Sequence, residues 1–130
     1  MEELFMEENA NTVETGFNEQ YIFKLISLSG DARSDIYKAF ELVRNKEYEE
    51  AEKYLKKADE YIIKAHNLQT NFIQKEAQGI HMEINLLTIH AQDHLMTTLL
   101  SKDMIKYMID MQKEINELKD KSNNCKGAEF

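Results

Sequence analysis

"NEQYIFKLISLSGDARSDIYKAFELVR", residues 18–44, decides the fold. Its apolar and small residues fall at Ile22, Leu25, Ser29, Ala32, Ile36, Ala39 and Val43. Steps of three and four alternate along the whole stretch. That is the stripe of one face of a helix, not the strict alternation of a strand. The same pattern recurs at Ala51, Leu55, Ala58, Ile62, Ala65, Gln69 and Phe72, so a second helix is expected over about 48–77. "NKEYEEA" supplies the short connection at Asn45–Glu47, and Gly79 in "AQGIHME" is the expected stop. A third helix, about 84–119, runs through Leu87, His90, His94, Thr97, Ser101, Met104, Met108, Met111, Ile115 and Leu118.

With no proline and four glycines in 130 residues, breakers are too scarce for a turn-rich β architecture. The expected class is all-α: one domain of three helices in an up-down-up antiparallel bundle about 40 Å long, at about 1.5 Å of rise per residue. Its repeat of about 3.5 residues is that of coiled-coil-like elements.

The formal charge of −8 is uneven. Residues 1–20 carry six acids and no base, while the remaining 110 carry 18 acids against 16 bases. Residues 1–17 therefore read as an acidic, disordered tail, 18–120 as the domain, and 121–130 ("KSNNCKGAEF") as a flexible tail. Nothing forms the basic stripe that nucleic-acid binding requires. No apolar run approaches about 18 residues, and no basic segment precedes an apolar one at the N-terminus. The single cysteine, Cys125, can make no internal disulfide. A cytoplasmic protein with no membrane insertion is expected.

The third helix is most apolar at "LLTIHAQDHLMTTLL", residues 86–100, yet it carries His90, Asp93 and His94 there. On a helix His90 neighbours both of the others. One stripe, Leu87–His90–His94–Thr97–Ser101, is polar. Another, Leu86–Ile89–Asp93–Met96–Leu100, is an apolar seam broken by one carboxylate. A helix apolar all round is buried all round, and a three-helix chain cannot cover every side of it, so the seam points to self-association. Asp93 would then face its own copies and need a cation or a shared proton; the alternative is an exposed aspartate without a ligand. A free imidazole, with an ordinary pKa of about 6.5, is mostly neutral and nucleophilic at physiological pH, which makes His90 the candidate for chemistry. The alternative is a pair of hydrogen-bonded core histidines.

The absences narrow the chemistry. There is no phosphate-cradling glycine loop, so no nucleotide is expected. HxxxH lacks an evident third ligand for zinc. Gly30 in mid-helix costs about 1 kcal/mol relative to alanine, and close helix–helix approach is its plainest explanation. Asp31 and Arg33 either contact a partner or face water. The methionines are expected to fill the core, His66 to be structural or partner-facing, and His81 to be solvated.

"HAQDHLMTTLLSKDMI" (His90–Ile105) resembles the signature of the lactose/cellobiose-type enzyme IIA components of the bacterial sugar phosphotransferase system. "SGDARS" (Ser29–Ser34), "AHNLQT" (Ala65–Thr70) and the glycine before the third helix resemble that family at matching intervals, over about residues 20–120. The resemblance implies a homotrimeric phosphocarrier. His90 would accept the phosphoryl group, with Gln92 and His94 beside it to stabilise that group. Asp93 of each subunit would bind a divalent metal ion, Mg2+ being expected, on the trimer axis. The implied partners are the histidine-containing phosphocarrier protein as donor and a cysteine of the sugar-specific IIB component as acceptor. A non-catalytic helical interaction module is the competing reading. The acidic extension and the Cys125 tail depart from the family pattern, and the residues do not specify the sugar.

Overall fold

The computed structural model describes residues 2–128, with side chains described over 19–125. It consists of α1 (Glu2–Arg44), α2 (Tyr48–Ala77) and α3 (Leu86–Ala128). The Tyr21 ring meets Phe72 edge-on, Thr98 reaches Ser29, and Asn116 reaches Val43. Thus α2 runs antiparallel to α1, and α3 runs parallel to it. This is the expected up-down-up bundle.

The stops are local chemistry. At the end of α1 the Glu47 amide reaches back to the Leu42 carbonyl at 2.9 Å, with Lys46 at φ 61° in the left-handed region. At the end of α2, Gly79 takes φ 88°, the Ile80 amide bonds the Lys75 carbonyl at 3.0 Å, and the Gly79 amide bonds Glu76 at 3.0 Å. A glycine accepts that conformation without cost. The helix α3 starts at Leu86 rather than residue 84, because Asn85 and Thr88 cap each other reciprocally. The Asn85 amide donates to Thr88 Oγ1 at 2.8 Å, and the Thr88 amide to Asn85 Oδ1 at 3.0 Å. It runs past residue 119 because no breaker lies between Gly79 and Gly127. The backbone of α1 begins at Glu2, and the side chains of the acidic segment 1–17 lie outside the described residues.

The stripe chosen for α1 is its buried face throughout. On α2, Ala51, Ala58, Ile62 and Ala65 are buried, while Leu55, Gln69 and Phe72 are half-buried. On α3 the stripe needs correction. The residues that enter the core are Ala91, Leu95, Thr98, Ile105, Ile109 and Asn116, none of them in the expected set. Several sides of α3 are apolar, so period alone could not choose among them, and the polar Thr98 and Asn116 disguised the inward one. The methionines of α3 are corrected likewise: Met96, Met104, Met108 and Met111 stand on the surface of the chain. The core instead divides into one cluster around Ile36 and Ile105 and another around Leu25 and Leu95.

The helix α1 packs along both others, whereas α2 and α3 meet only sparsely. Polar links between them include Lys102 to Asp59 at 2.5 Å, Gln69 to Gln92 at 2.6 Å and Asn116 to the Tyr48 hydroxyl at 2.9 Å. This open arrangement leaves one long side of α3 without a partner in the chain.

Candidate functional site

His90, exposed on the first turns of α3, stands beside half-buried His94 one turn further on. Their rings are parallel to within 10°, with centroids 5.7 Å apart. Two residues of α1 hold His94 in place. A Cβ on Gly30 would lie 3.2 Å from His94 Nε2, so the ring rests against the glycine backbone. Arg33 Nη2 donates to the His94 carbonyl at 3.3 Å and to Thr97 Oγ1. The Thr97 hydroxyl in turn donates to the Asp93 carbonyl at 2.7 Å. Arg33 Nε is buried and has no hydrogen-bond partner.

These surroundings lower the His94 pKa below 6.5. Burial of the ring is the largest cause; the Arg33 guanidinium and the neighbouring His90 act in the same direction. His94 is therefore neutral near pH 7, with one ring nitrogen a donor and the other an acceptor. Neither histidine is a sealed core residue. Arg33, left open between partner and water, contacts the site directly. Neither Arg33 nor Gly30 nor Thr97 stood out in the sequence as a site residue, although the first two lie in the "SGDARS" segment that carried the resemblance.

Gln92 does not lie beside His90 within the chain. Two residues at about 100° each carry it to nearly the far side of the helix, where Gln69 of α2 donates to its Oε1. Asp93 is exposed between them, on the seam formed with Leu86, Ile89, Met96 and Leu100, and among the described residues its carboxylate has no ion pair. No three of His, Cys, Asp and Glu converge among the described residues. A cleft of about 320 Å³ opens on the Gln92 flank, lined in part by Phe72, Met82, Ile89 and Asp93. It lies away from His90. His66 and His81 are both exposed. No helix among the described residues is long and apolar enough to cross a membrane.

The family described as "PTS system, Lactose/Cellobiose specific IIA subunit" matches residues 20–113. The lactose-specific EIIA component of Streptococcus mutans is 42% identical over 91 residues, which are 70% of this chain and 88% of that protein. The crystal structure of the cellobiose-specific enzyme IIA from Bacillus anthracis superposes with a TM-score of 0.74 at 41% identity, covering 76% of this chain and 91% of that one. The IIA(Chitobiose) of Escherichia coli, solved in complex with HPr, gives a TM-score of 0.66 at 30% identity, over 75% and 95% of the two chains.

Proposed function

The chain belongs to the lactose/cellobiose-specific IIA family of the sugar phosphotransferase system, a family of phosphocarriers in sugar uptake, and from that membership we propose that His90 is its phosphoryl acceptor. The observation that carries the reading is an exposed imidazole backed by a second, neutral one on the same helix face. The donor is the histidine-containing phosphocarrier protein, a partner supported by the HPr complex of the chitobiose relative. The acceptor is a cysteine of a IIB component, and the exchange takes place in the cytoplasm.

The chemistry asks for position and charge more than for acid–base machinery. A ring nitrogen of His90 attacks the phosphorus of the donor's phosphohistidine. The new N–P bond forms as the donor's breaks, and the electron pair leaves with the donor ring. The proton His90 gives up balances the one the donor ring takes. In the second transfer a cysteine thiolate of IIB forms an S–P bond as the His90 N–P bond breaks. His94 donates to a phosphoryl oxygen from one turn away.

Assembly as a homotrimer completes the site. If the exposed α3 seams of three copies meet on an axis, one flank of each helix faces the opposite flank of the next. His90 and Gln92 lie on opposite flanks of the seam, so the Gln69–Gln92 pair of one chain stands across the interface from a neighbour's His90. Gln92 thus serves a phosphoryl group on the adjacent chain. The three Asp93 carboxylates supply hard oxygen donors suited to a divalent cation such as Mg2+, whose charge offsets their mutual repulsion. One metal ion per three chains, lost in Asp93→Asn, is expected by elemental analysis.

Incubation with the phosphocarrier, its enzyme I and phosphoenolpyruvate tests the main claim. One acid-labile phosphoryl group per chain should appear by mass and be absent from His90→Ala. An unmodified chain, or modification that survives the substitution, overturns it.

A further inference from the structure

We propose that Gly30 is a positioning residue for phosphoryl transfer: by lacking a side chain it seats the His94 imidazole, which in turn fixes the face that His90 presents. The inference rests on His90 as the acceptor and deepens that reading. Backbone conformation does not call for a glycine here. Position 30 lies in the helical interior of α1, and its φ is not in the left-handed region. Helix propensity argues against glycine at such a position.

General helix packing does not call for it either. Ser29 and Ala32 beside it are fully buried, and the Ser29 carbonyl accepts from Thr98 of α3. Gly30 is half-buried at the rim of that contact. Apart from its two chain neighbours and α1's own local backbone, the only atom among the described residues within 4 Å of its missing Cβ is Nε2 of His94, at 3.2 Å. What the glycine provides is room for one imidazole nitrogen.

Arg33, one turn along the same face, grips the backbone of that histidine through its carbonyl at 3.3 Å and through Thr97. His94 is therefore held at its ring by Gly30 and at its main chain by Arg33. With α1 on one side and the parallel His90 ring on the other, it has little freedom to swing. His90 itself is exposed, and the His94 ring is the one that stacks on it. A methyl group at position 30 must push the His94 ring toward His90 or out of the stack. The ring must give by a few tenths of an ångström; since an error of about 1 Å at such a centre lowers rates by about a hundredfold, a shift of that size costs about three- to tenfold.

The test uses Gly30→Ala and His94→Ala, singly and together, in the full chain, with melting curves and steady-state transfer from the phosphorylated phosphocarrier. Gly30→Ala should melt at or above the parent, keep KM for the phosphocarrier, and lose about three- to tenfold in kcat. The double variant should be no slower than His94→Ala alone, because the added methyl then meets nothing. An unchanged kcat in Gly30→Ala, or losses that multiply in the double variant, overturns the proposal. So does a Gly30→Ala chain that melts well below the parent and is not restored by His94→Ala, which would mark Gly30 as a packing residue. In the parent chain itself, a nuclear Overhauser contact between the Gly30 α-protons and the His94 ring is expected, and its absence is equally fatal. A parent that takes no phosphoryl group on His90 sinks the phosphocarrier reading instead. A parent that transfers while Gly30→Ala transfers as fast sinks this inference alone.

Discussion

The helices α1 and α3 carry apolar residues at the same alternating spacing, and the two stripes meet opposite fates. On α1 all seven positions from Ile22 to Val43 are at most 5% exposed. On α3 the seam of Leu86, Ile89, Met96, Leu100, Met104, Met111, Ile115 and Leu118 leaves each side chain 43% to 82% exposed. Periodicity reports which face is apolar; topology decides whether the chain can cover it. The helix α1 lies between two neighbours, whereas α3 is backed mainly by α1 and turns its other apolar side outward. An exposed apolar stripe of that length marks an interaction surface rather than a core.

The contrast breaks most visibly at the two stripe centres. Ile36 is fully buried in α1, and Ile36→Ala should remove about 2–5 kcal/mol, a large part of the ~5–15 kcal/mol by which a domain of this size is held. Urea unfolding measures it, and a loss well under about 1 kcal/mol would mean that the α1 stripe is not the packed centre it is taken for. Leu100→Lys, in the exposed seam, should leave helicity and the single-chain fold intact yet abolish assembly. Sedimentation should then change from a trimer to a single chain. A variant that sediments as the parent does would show that the seam is not where the chains meet.

The inward side of α3 explains what the sequence could and could not disclose. The α1 stripe was legible because its steps of three and four run unbroken from Ile22 to Val43, although Phe23, Ile26, Phe40 and Leu42 lie off it. The seam of α3 was legible as a surplus of apolar residues. Its core face was not, because Thr98 and Asn116 occupy it, and each is admitted only by a partner on α1. Thr98 Oγ1 donates to the Ser29 carbonyl at 3.2 Å, and Asn116 Nδ2 to the Val43 carbonyl at 2.9 Å. The same limit applied to the site. Spacing placed His94 beside His90, but nothing in a single stretch of chain could bring Gly30 and Arg33 to His94, sixty residues away. Gln92, two residues from His90, does not lie beside it within the chain, because two residues carry it to nearly the opposite side of the helix.

Asn116 sharpens the comparison at the next level down. Its amide also donates to the Tyr48 hydroxyl at 2.9 Å and accepts from Gln112 at 3.0 Å, tying α3 to the α1–α2 turn. Asn116→Ala removes both donated bonds, while the Val43 carbonyl keeps the Lys46 amide at 3.0 Å, so the cost is about 0.5–1.5 kcal/mol for each bond lost. Asn116→Leu should not restore that loss, because leucine replaces none of the bonds to Val43, Tyr48 and Gln112. A leucine variant as stable as the parent would mean that the inward face of α3 tolerates a purely apolar residue there.

The smallest effect concerns the one carboxylate that intrudes on the covered side of α1. Asp35 is half-buried, and its Oδ2 is sealed from water without a hydrogen-bond partner. Burial raises its pKa above 3.8, Lys57 opposes the shift, and Asp31 adds to it. A carboxyl whose folded pKa lies above its unfolded one binds its proton more tightly in the folded chain. It therefore costs stability at neutral pH, where it is charged in both states, and the cost shrinks as pH falls through the folded pKa toward 3.8. Asp35→Asn should accordingly raise the melting temperature slightly near neutrality, with a gain that fades on acidification and disappears below pH 3.8. A gain that persisted unchanged to low pH would have to come from the amide's own hydrogen bonds. In that event α1 would owe nothing to relief of a buried charge, and its stripe would be as complete electrostatically as it is in packing.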